Sequence, residues 1–170
     1  MNLFILRHGI AADLDTLGLA NDADRPLTPE GERKVSQIAG AIVKLELSFD
    51  HILSSPYLRA RRTAEIVAER LGAGTKLELS DLLTPGGSTK RLLELLKCAQ
   101  PSPESVLLVG HEPYLSGLIS LLVGGKETFD VVLKKGGLCR LTIESSRHGR
   151  CAALQWLLTP KQMLLMGQCC

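Results

Sequence analysis

The sequence lacks an excess of charge of either sign. Twenty Lys and Arg stand against 18 Asp and Glu, a formal net charge of +2 over 170 residues. That removes the broad electrostatic footprint of nucleic-acid and membrane-surface binders, so any attraction for anions must be local. Long apolar runs are also missing. Leu3-Phe4-Ile5-Leu6 precedes Arg7, too short a run for a signal-peptide core or a membrane span. The expectation is a soluble, cytoplasmic protein with neither nucleic acid nor membrane as partner. The five cysteines show no C-x-x-C spacing of a metal site. Cys98, Cys139 and Cys151 are expected to be buried free thiols. The Cys169-Cys170 pair lacks a C-a-a-X box. There are no repeats, low-complexity tracts or internal linkers.

What is present fits a single domain over residues 1–170, long enough to bury a core. Asn2–Leu6 is a short buried strand. Arg7–Pro26 has little periodicity and reads as a long loop, the kind that is usually functional inside a compact domain. Thr28 and Pro29 give a cap and a first helical position. Val35, Ile38, Ala39, Ile42 and Val43 then recur at helical spacing. Asp50–Leu53 is a second strand. Ser54-Ser55-Pro56 repeats the cap-then-proline signal for a helix to Leu71, with Leu58, Ala64, Val67, Ala68 and Leu71 on its apolar face and Gly72 ending it. Thr75–Leu79 is a weaker strand, and Ser88 caps a helix to about Cys98. Ser105–Val109 is a strongly apolar strand, followed by a helix to about Leu122 and a turn at Gly124-Gly125. Leu138–Glu144 and Ala152–Leu158 are strands joined by a turn at Ser145–Arg150. A last helix starts after Thr159-Pro160. The alternation predicts an α/β layered fold, mostly parallel, with a late antiparallel hairpin.

Two of the four histidines stand out by context. His8 follows the first strand in Arg7-His8-Gly9. His111 follows the Ser105–Val109 strand in Gly110-His111-Glu112-Pro113. Ligands of open α/β sheets bind beyond the carboxyl ends of strands, so both can reach one crevice. Gly9 and Gly110 allow a ligand to approach the backbone closely. His51 reads as structural or surface. His148 sits in a second Arg-His-Gly tripeptide, but between two strands, where a hairpin turn is the simpler explanation. Arg59 lies near the first turn of its helix, a favourable place for an anion. Arg7 and Arg59 together can grip phosphate oxygens with forked hydrogen bonds. Arg61 and Arg62 read as a solvated face.

Leu6-Arg7-His8-Gly9, Arg25-Pro26-Leu27-Thr28, Ser54-Ser55-Pro56-Tyr57-Leu58-Arg59-Ala60 with Thr63, and Gly110-His111 occur in that order. Together they resemble the histidine phosphatase superfamily. The short length, Leu83-Thr84-Pro85-Gly86 and the late Trp156-Leu157-Leu158-Thr159-Pro160 resemble its small SixA-type branch of phosphohistidine phosphatases. The resemblance implies a three-layer α/β/α sandwich of the phosphoglycerate-mutase type, with His8 as nucleophile. It implies a phosphate pocket of Arg7, Arg59, His111 and Gly9, with Arg25 on the substrate side. It implies no metal or other cofactor. The implied partner is a phosphorylated histidine-containing phosphotransfer protein, met by a monomer.

The chemistry suits these residue types. A neutral imidazole can attack phosphorus, and the phosphoramidate formed is labile to water, which divides one hard displacement into two easier ones. Arginines and a second histidine stabilise charge on the equatorial oxygens. The proton donor is open among Asp22, Asp24, Asp81 and Glu112, the resemblance favouring Asp22. Imidazole leaves more easily than an alkoxide, so a weak acid is mild support for phosphohistidine over phosphoserine or sugar phosphates. A broad phosphomonoesterase is the alternative. A phosphate-binding adaptor and a two-histidine metal site are weaker ones.

Overall fold

In the first strand, alternate side chains enter two separate cores. Phe4 and Leu6 point to one face of the sheet, Leu3 and Ile5 to the other, as the two-residue period of a strand demands. This computed structural model describes residues 1–14, 18, 20–126, 130–147 and 150–168. Its strands are β1 (Asn2–Arg7), β2 (His51–Ser54), β3 (Leu77–Leu79), β4 (Ser105–Gly110), β5 (Leu138–Arg147) and β6 (Arg150–Leu158). They form one sheet in the order β3-β2-β4-β1-β5-β6. The first four in that order run parallel; β5 is antiparallel to β1, and β6 to β5.

Helices cover both faces. On one lie α1 (Pro29–Lys44), α2 (Leu58–Leu71) and α5 (Pro160–Gln168). They bring Val35 and Ile38, Ala64 and Val67, and Met163 to the core of Phe4 and Leu6. On the other lie α3 (Thr89–Cys98) and α4 (Tyr114–Gly124). Leu92, Leu96, Leu115 and Ile119 from these helices meet Leu3, Ile5, Val106 and Leu108. The result is the expected three-layer α/β/α arrangement with a mostly parallel sheet and a late hairpin. Among the described residues no helix is long and apolar enough to cross a membrane.

The helix starts follow local chemistry. Gly31 N–H donates to Thr28 Oγ1 at 2.9 Å, with Pro29 in the first turn. Ser88 Oγ accepts from Arg91 N–H at 3.4 Å. Thr159 and Gln162 form a reciprocal pair: Thr159 N–H donates to Gln162 Oε1 at 2.8 Å and Gln162 N–H to Thr159 Oγ1 at 3.4 Å. Gly72 ends α2 with φ 63°.

Several sequence expectations shift. α2 begins at Leu58 rather than Pro56: Ser55 Oγ accepts from Tyr57 N–H at 3.3 Å ahead of the helix, and Tyr57 precedes it without a side-chain cap. Val43 and Leu58, expected on apolar faces, are 43% and 42% exposed. Of the three internal cysteines only Cys139 is buried, and Cys98 is exposed. The hairpin strands run on into the expected Ser145–Arg150 turn, pairing Arg147 with Arg150. His148, Cys169 and Cys170 lie outside the described residues.

The contact between α1 and the chain after β1 is tight. A Cβ on Gly31 would land on the Ile10 carbonyl oxygen, whereas one on Gly40 would meet nothing within 4 Å. Gly31→Ala should therefore destabilise by about 1–3 kcal/mol through overpacking. Gly40→Ala, in the interior of the same helix, should stabilise by about 0.5–1 kcal/mol. Urea unfolding of the two variants beside the parent checks both signs.

Candidate active site

Parallel pairing of β1 with β4 sets Arg7 opposite Gly110. The next residue on each strand is a histidine. His8 N–H donates to the Gly110 carbonyl at 3.1 Å, extending the ladder by one step. The ring centroids of His8 and His111 lie 5.0 Å apart. Next along the sheet, Ser54 of β2 pairs with Val109, and Ser55 N–H donates to the Val109 carbonyl at 3.0 Å. The chain then enters α2, with Arg59 in its first turn. His8, Arg59 and His111 thus meet at the carboxyl end of the sheet, where the chain order reverses between β1 and β4. They are 6%, 5% and 1% exposed, so the site is a pit rather than a patch.

Each ring has a defined orientation. His8 Nδ1 lies 2.7 Å from the Gly9 carbonyl, which can only accept, so Nδ1 carries the hydrogen. Nε2 is left with its lone pair, to which Arg59 Nε–H donates at 3.3 Å. Burial, together with the charges of Arg59 and Arg7 and the neighbouring His111, pushes the His8 pKa down to about 3, against an opposing pull from the Gly9 carbonyl. His111 Nε2 lies 2.8 Å from Ser55 Oγ. Burial, and then the Arg59 charge, lower its pKa to about 4. The two imidazoles are neutral beside two guanidiniums.

Arg7 is wrapped by residues 133–137. Its Nη1 donates to the Leu133 carbonyl at 2.9 Å, its N–H to Gly137 O at 3.2 Å, and its carbonyl accepts from Gly136 N–H at 3.0 Å. Arg7 Nε, His111 Nδ1 and Glu112 Oε1 are buried without a protein partner. Buried polar atoms without a protein partner are uncommon, and the two donors, Arg7 Nε and His111 Nδ1, flank His8 where an acceptor-bearing ligand would complete the bonding. Gly9 enters as orienting backbone rather than as a free donor. Its N–H donates to Thr63 Oγ1 at 3.1 Å and its carbonyl holds His8. Thr63 in turn donates to the Arg59 carbonyl at 2.7 Å, tying β1 to α2.

Asp22 is the carboxylate that reaches this group. Arg59 donates from Nη2 to Asp22 Oδ2 at 2.8 Å and also from Nη1 to the Asp22 carbonyl. Arg25 Nη1 donates to Asp22 Oδ1 at 3.0 Å, and Arg25 Nε to the Ala12 carbonyl at 2.7 Å. Burial raises the Asp22 pKa, but the hydrogen bonds from Arg59 and Arg25, with their charges, outweigh it and hold the carboxyl below its usual range. Glu112 acts on Arg7 as a neighbouring charge. Asp24 and Asp81 are exposed on short 3-10 turns. His51 faces Glu78 at 3.6 Å at the far end of β2. Arg61 pairs with Glu65 along the exposed face of α2, as expected of a solvated arginine, while Arg62, partly exposed, pairs with Glu69 of α2 and bridges to Glu32 of α1.

Sequence reasoning did not pick out Ser55 as the partner of His111; its hydroxyl looked like a helix cap. Nor did it find residues 133–137, where the only signal is the Gly136-Gly137 pair. Among the described residues no three His, Cys, Asp or Glu side chains come together as metal ligands.

The branch 1 model of the histidine phosphatase superfamily matches residues 3–84. Over 133 residues the chain is 32% identical to the phosphohistidine phosphatase SixA homologue of Haemophilus influenzae, spanning 73% of this chain and 78% of that one. The chain belongs to the histidine phosphatase superfamily. Another superfamily relative is the phosphohistidine phosphatase SixA of Escherichia coli K12, 29% identical over 161 residues, or 94% of each chain. Among solved structures, the protein histidine phosphatase SixA complexed with tungstate superposes with a TM-score of 0.81. It is 28% identical, over 95% of this chain and 98% of that one. The architecture is therefore that of the phosphoglycerate-mutase-like histidine phosphatases.

The lowered histidine pKa values have a testable sign. Unfolded histidines take up a proton near pH 6.5, while buried His8 and His111 resist until about 3 and about 4. Below pH 6.5 the unfolded state binds more protons, so stability falls as pH drops, by on the order of 2 kcal/mol per histidine between pH 7 and 5. Nitrogen NMR should show His8 neutral and protonated on Nδ1 throughout that range. A midpoint near 6.5 for either ring contradicts this.

Proposed function

We propose that this chain is a phosphatase that hydrolyses phosphohistidine on a histidine-containing phosphotransfer protein, through a covalent phosphohistidine at His8. The observation that carries this reading is the neutral His8 ring, its Nε2 lone pair held against Arg59. A nucleophile must be unprotonated, and one oriented by its own backbone carbonyl need not reorganise to attack. The likeness to the SixA phosphatases supports the substrate class.

In the first step His8 Nε2 forms a bond to phosphorus and the P–N bond to the substrate imidazole breaks. The departing imidazole takes a proton and leaves as neutral histidine. In the second, water attacks the phosphorus of phospho-His8, gives up a proton, and phosphate departs with the P–N electrons returning to Nε2. Arg7, Arg59 and His111 balance the charge on the equatorial oxygens. Arg7 Nε and His111 Nδ1, buried and without a protein partner, are donors suited to those oxygens. Asp22 must leave Arg59 as the phosphoryl group arrives. Arg25, anchored on Ala12, fixes the edge from which Asp22 swings.

Trapping tests the intermediate. Brief reaction with a phosphorylated phosphotransfer domain should leave acid-labile, base-stable phosphate on the protein, and His8→Ala should leave none. Turnover of that domain should exceed that of p-nitrophenyl phosphate or sugar phosphates. Faster turnover of the small esters would favour a broad phosphomonoesterase, and binding without release of phosphate an adaptor.

The proton donor is identified by leaving-group dependence. Asp22→Asn and Glu112→Gln should each lower kcat for phosphohistidine by less than about tenfold, because imidazole accepts a proton readily. For an alkyl phosphate the variant lacking the true donor should lose about a hundredfold or more. If neither variant discriminates between the leaving groups, neither carboxylate is the donor.

A further inference from the structure

We propose that a lysine-rimmed groove beside the His8 crevice docks an acidic segment of the phosphoprotein, adjacent to its phosphohistidine; this rests on the phosphatase reading above. The groove has a volume of about 470 Å³ and starts at Arg7 and Gly9, the residues flanking His8. It runs between α1, α5 and the 133–137 segment. Lys34, Lys134, Lys135 and Lys161 line it, and among the described residues no carboxylate does. With Arg7 that gathers five cations in one place, on a chain whose net charge is only +2. Lys34 is paired with Glu30 at 2.6 Å. Lys134, Lys135 and Lys161 are exposed and have no carboxylate partner among the described residues.

The walls between the lysines are apolar: Ile10, Val35, Ile38 and Leu164. A single phosphate held by Arg7 and Arg59 would touch none of them. A nucleic acid would match the lysines but leave the apolar walls uncovered. A peptide segment bearing carboxylates around one aliphatic side chain matches both, with charge complementarity setting encounter rate and orientation and the aliphatic group filling the floor. Because the groove is continuous with Gly9, such a segment sits beside the residue whose phosphoryl group enters the crevice.

The test is the triple variant Lys134→Glu, Lys135→Glu, Lys161→Glu, with its fold checked by circular dichroism and thermal unfolding. The corresponding triple Lys→Arg variant serves as control. The kcat/KM for a phosphorylated histidine-containing phosphotransfer domain should fall at least about tenfold, through KM, and the parent's rate should decline with salt while that of the charge-reversed variant stays level or rises. Hydrolysis of free phosphoramidate should change far less, because Arg7 is held by main-chain groups of Leu133, Gly136 and Gly137 and not by the lysine side chains, and the arginine variant should behave like the parent. Equal loss on both substrates, or no loss on the phosphodomain, overturns the proposal. Tighter lysine-dependent binding of an oligonucleotide than of the phosphodomain overturns it in favour of nucleic acid. If the parent hydrolyses neither substrate, the phosphatase reading fails. The groove is then judged by titration of the phosphodomain, where a tenfold loss of affinity in the glutamate variant upholds docking and no loss overturns it.

Discussion

The register between β1 and β4 is the constraint on which the site depends. His8 and His111 are 103 residues apart in the chain and meet only because Arg7 pairs with Gly110. A slip of one residue would exchange the faces of every side chain on the strand. Both strands are buried on both sides, Leu3 and Ile5 in one core, Phe4 and Leu6 in the other. Such a slip would force each core to accept the other's side chains. The packing of two helical layers thus fixes two imidazoles 5.0 Å apart. Catalytic geometry at the strand ends is inherited from hydrophobic burial in the strand interiors.

Most of that framework was legible in the sequence. The caps at Thr28 and Ser88, the glycine stop at Gly72 and the apolar runs of β1 and β4 are local signals, and each is realised. His8, Arg59 and His111 could be placed because each lies just beyond a strand end, where topology sends ligands. The misses are of another kind. Ser54-Ser55-Pro56 carries a cap pattern, yet Ser55 Oγ bonds His111, a partner 56 residues away. Val43 satisfies helical spacing but lies just beyond the stripe that meets the sheet. Residues 133–137 wrap Arg7 through backbone carbonyls and amides, groups that every residue possesses and no motif reveals. The sequence shows which residues bear chemistry; which hydroxyl orients which ring is settled by tertiary packing.

The burial that fixes the rings also sets their charge. Desolvation is the largest influence on both histidines, with the arginines reinforcing it on His8 and His111 alike. Neutral rings therefore need no separate base. Arg7 Nε and His111 Nδ1 are buried with no protein group to bond. A core built only for stability would fill these positions with apolar side chains. Their retention beside His8 is the pattern expected where local stability is given up for a ligand.

Asp22 meets the other guanidinium of the site, that of Arg59. Its carboxylate and its carbonyl occupy the guanidinium of Arg59, the cation best placed to hold an anion over His8. Two arginines pull on one carboxylate, which keeps it ionised in the free state. An incoming anion must therefore compete with an internal one. On the phosphatase reading, a phosphoryl group brings three oxygens and up to two negative charges, and Arg7 Nε and His111 Nδ1 would offer it donors beyond Arg59. A carboxylate ligand offers two oxygens and one charge, little more than Asp22 already supplies. On that reading the exchange favours a phosphoryl group over a carboxylate. Selection against the abundant carboxylates of other proteins would then come from a side chain already in the site, and the acidic segment proposed to dock would be left to the lysines outside it.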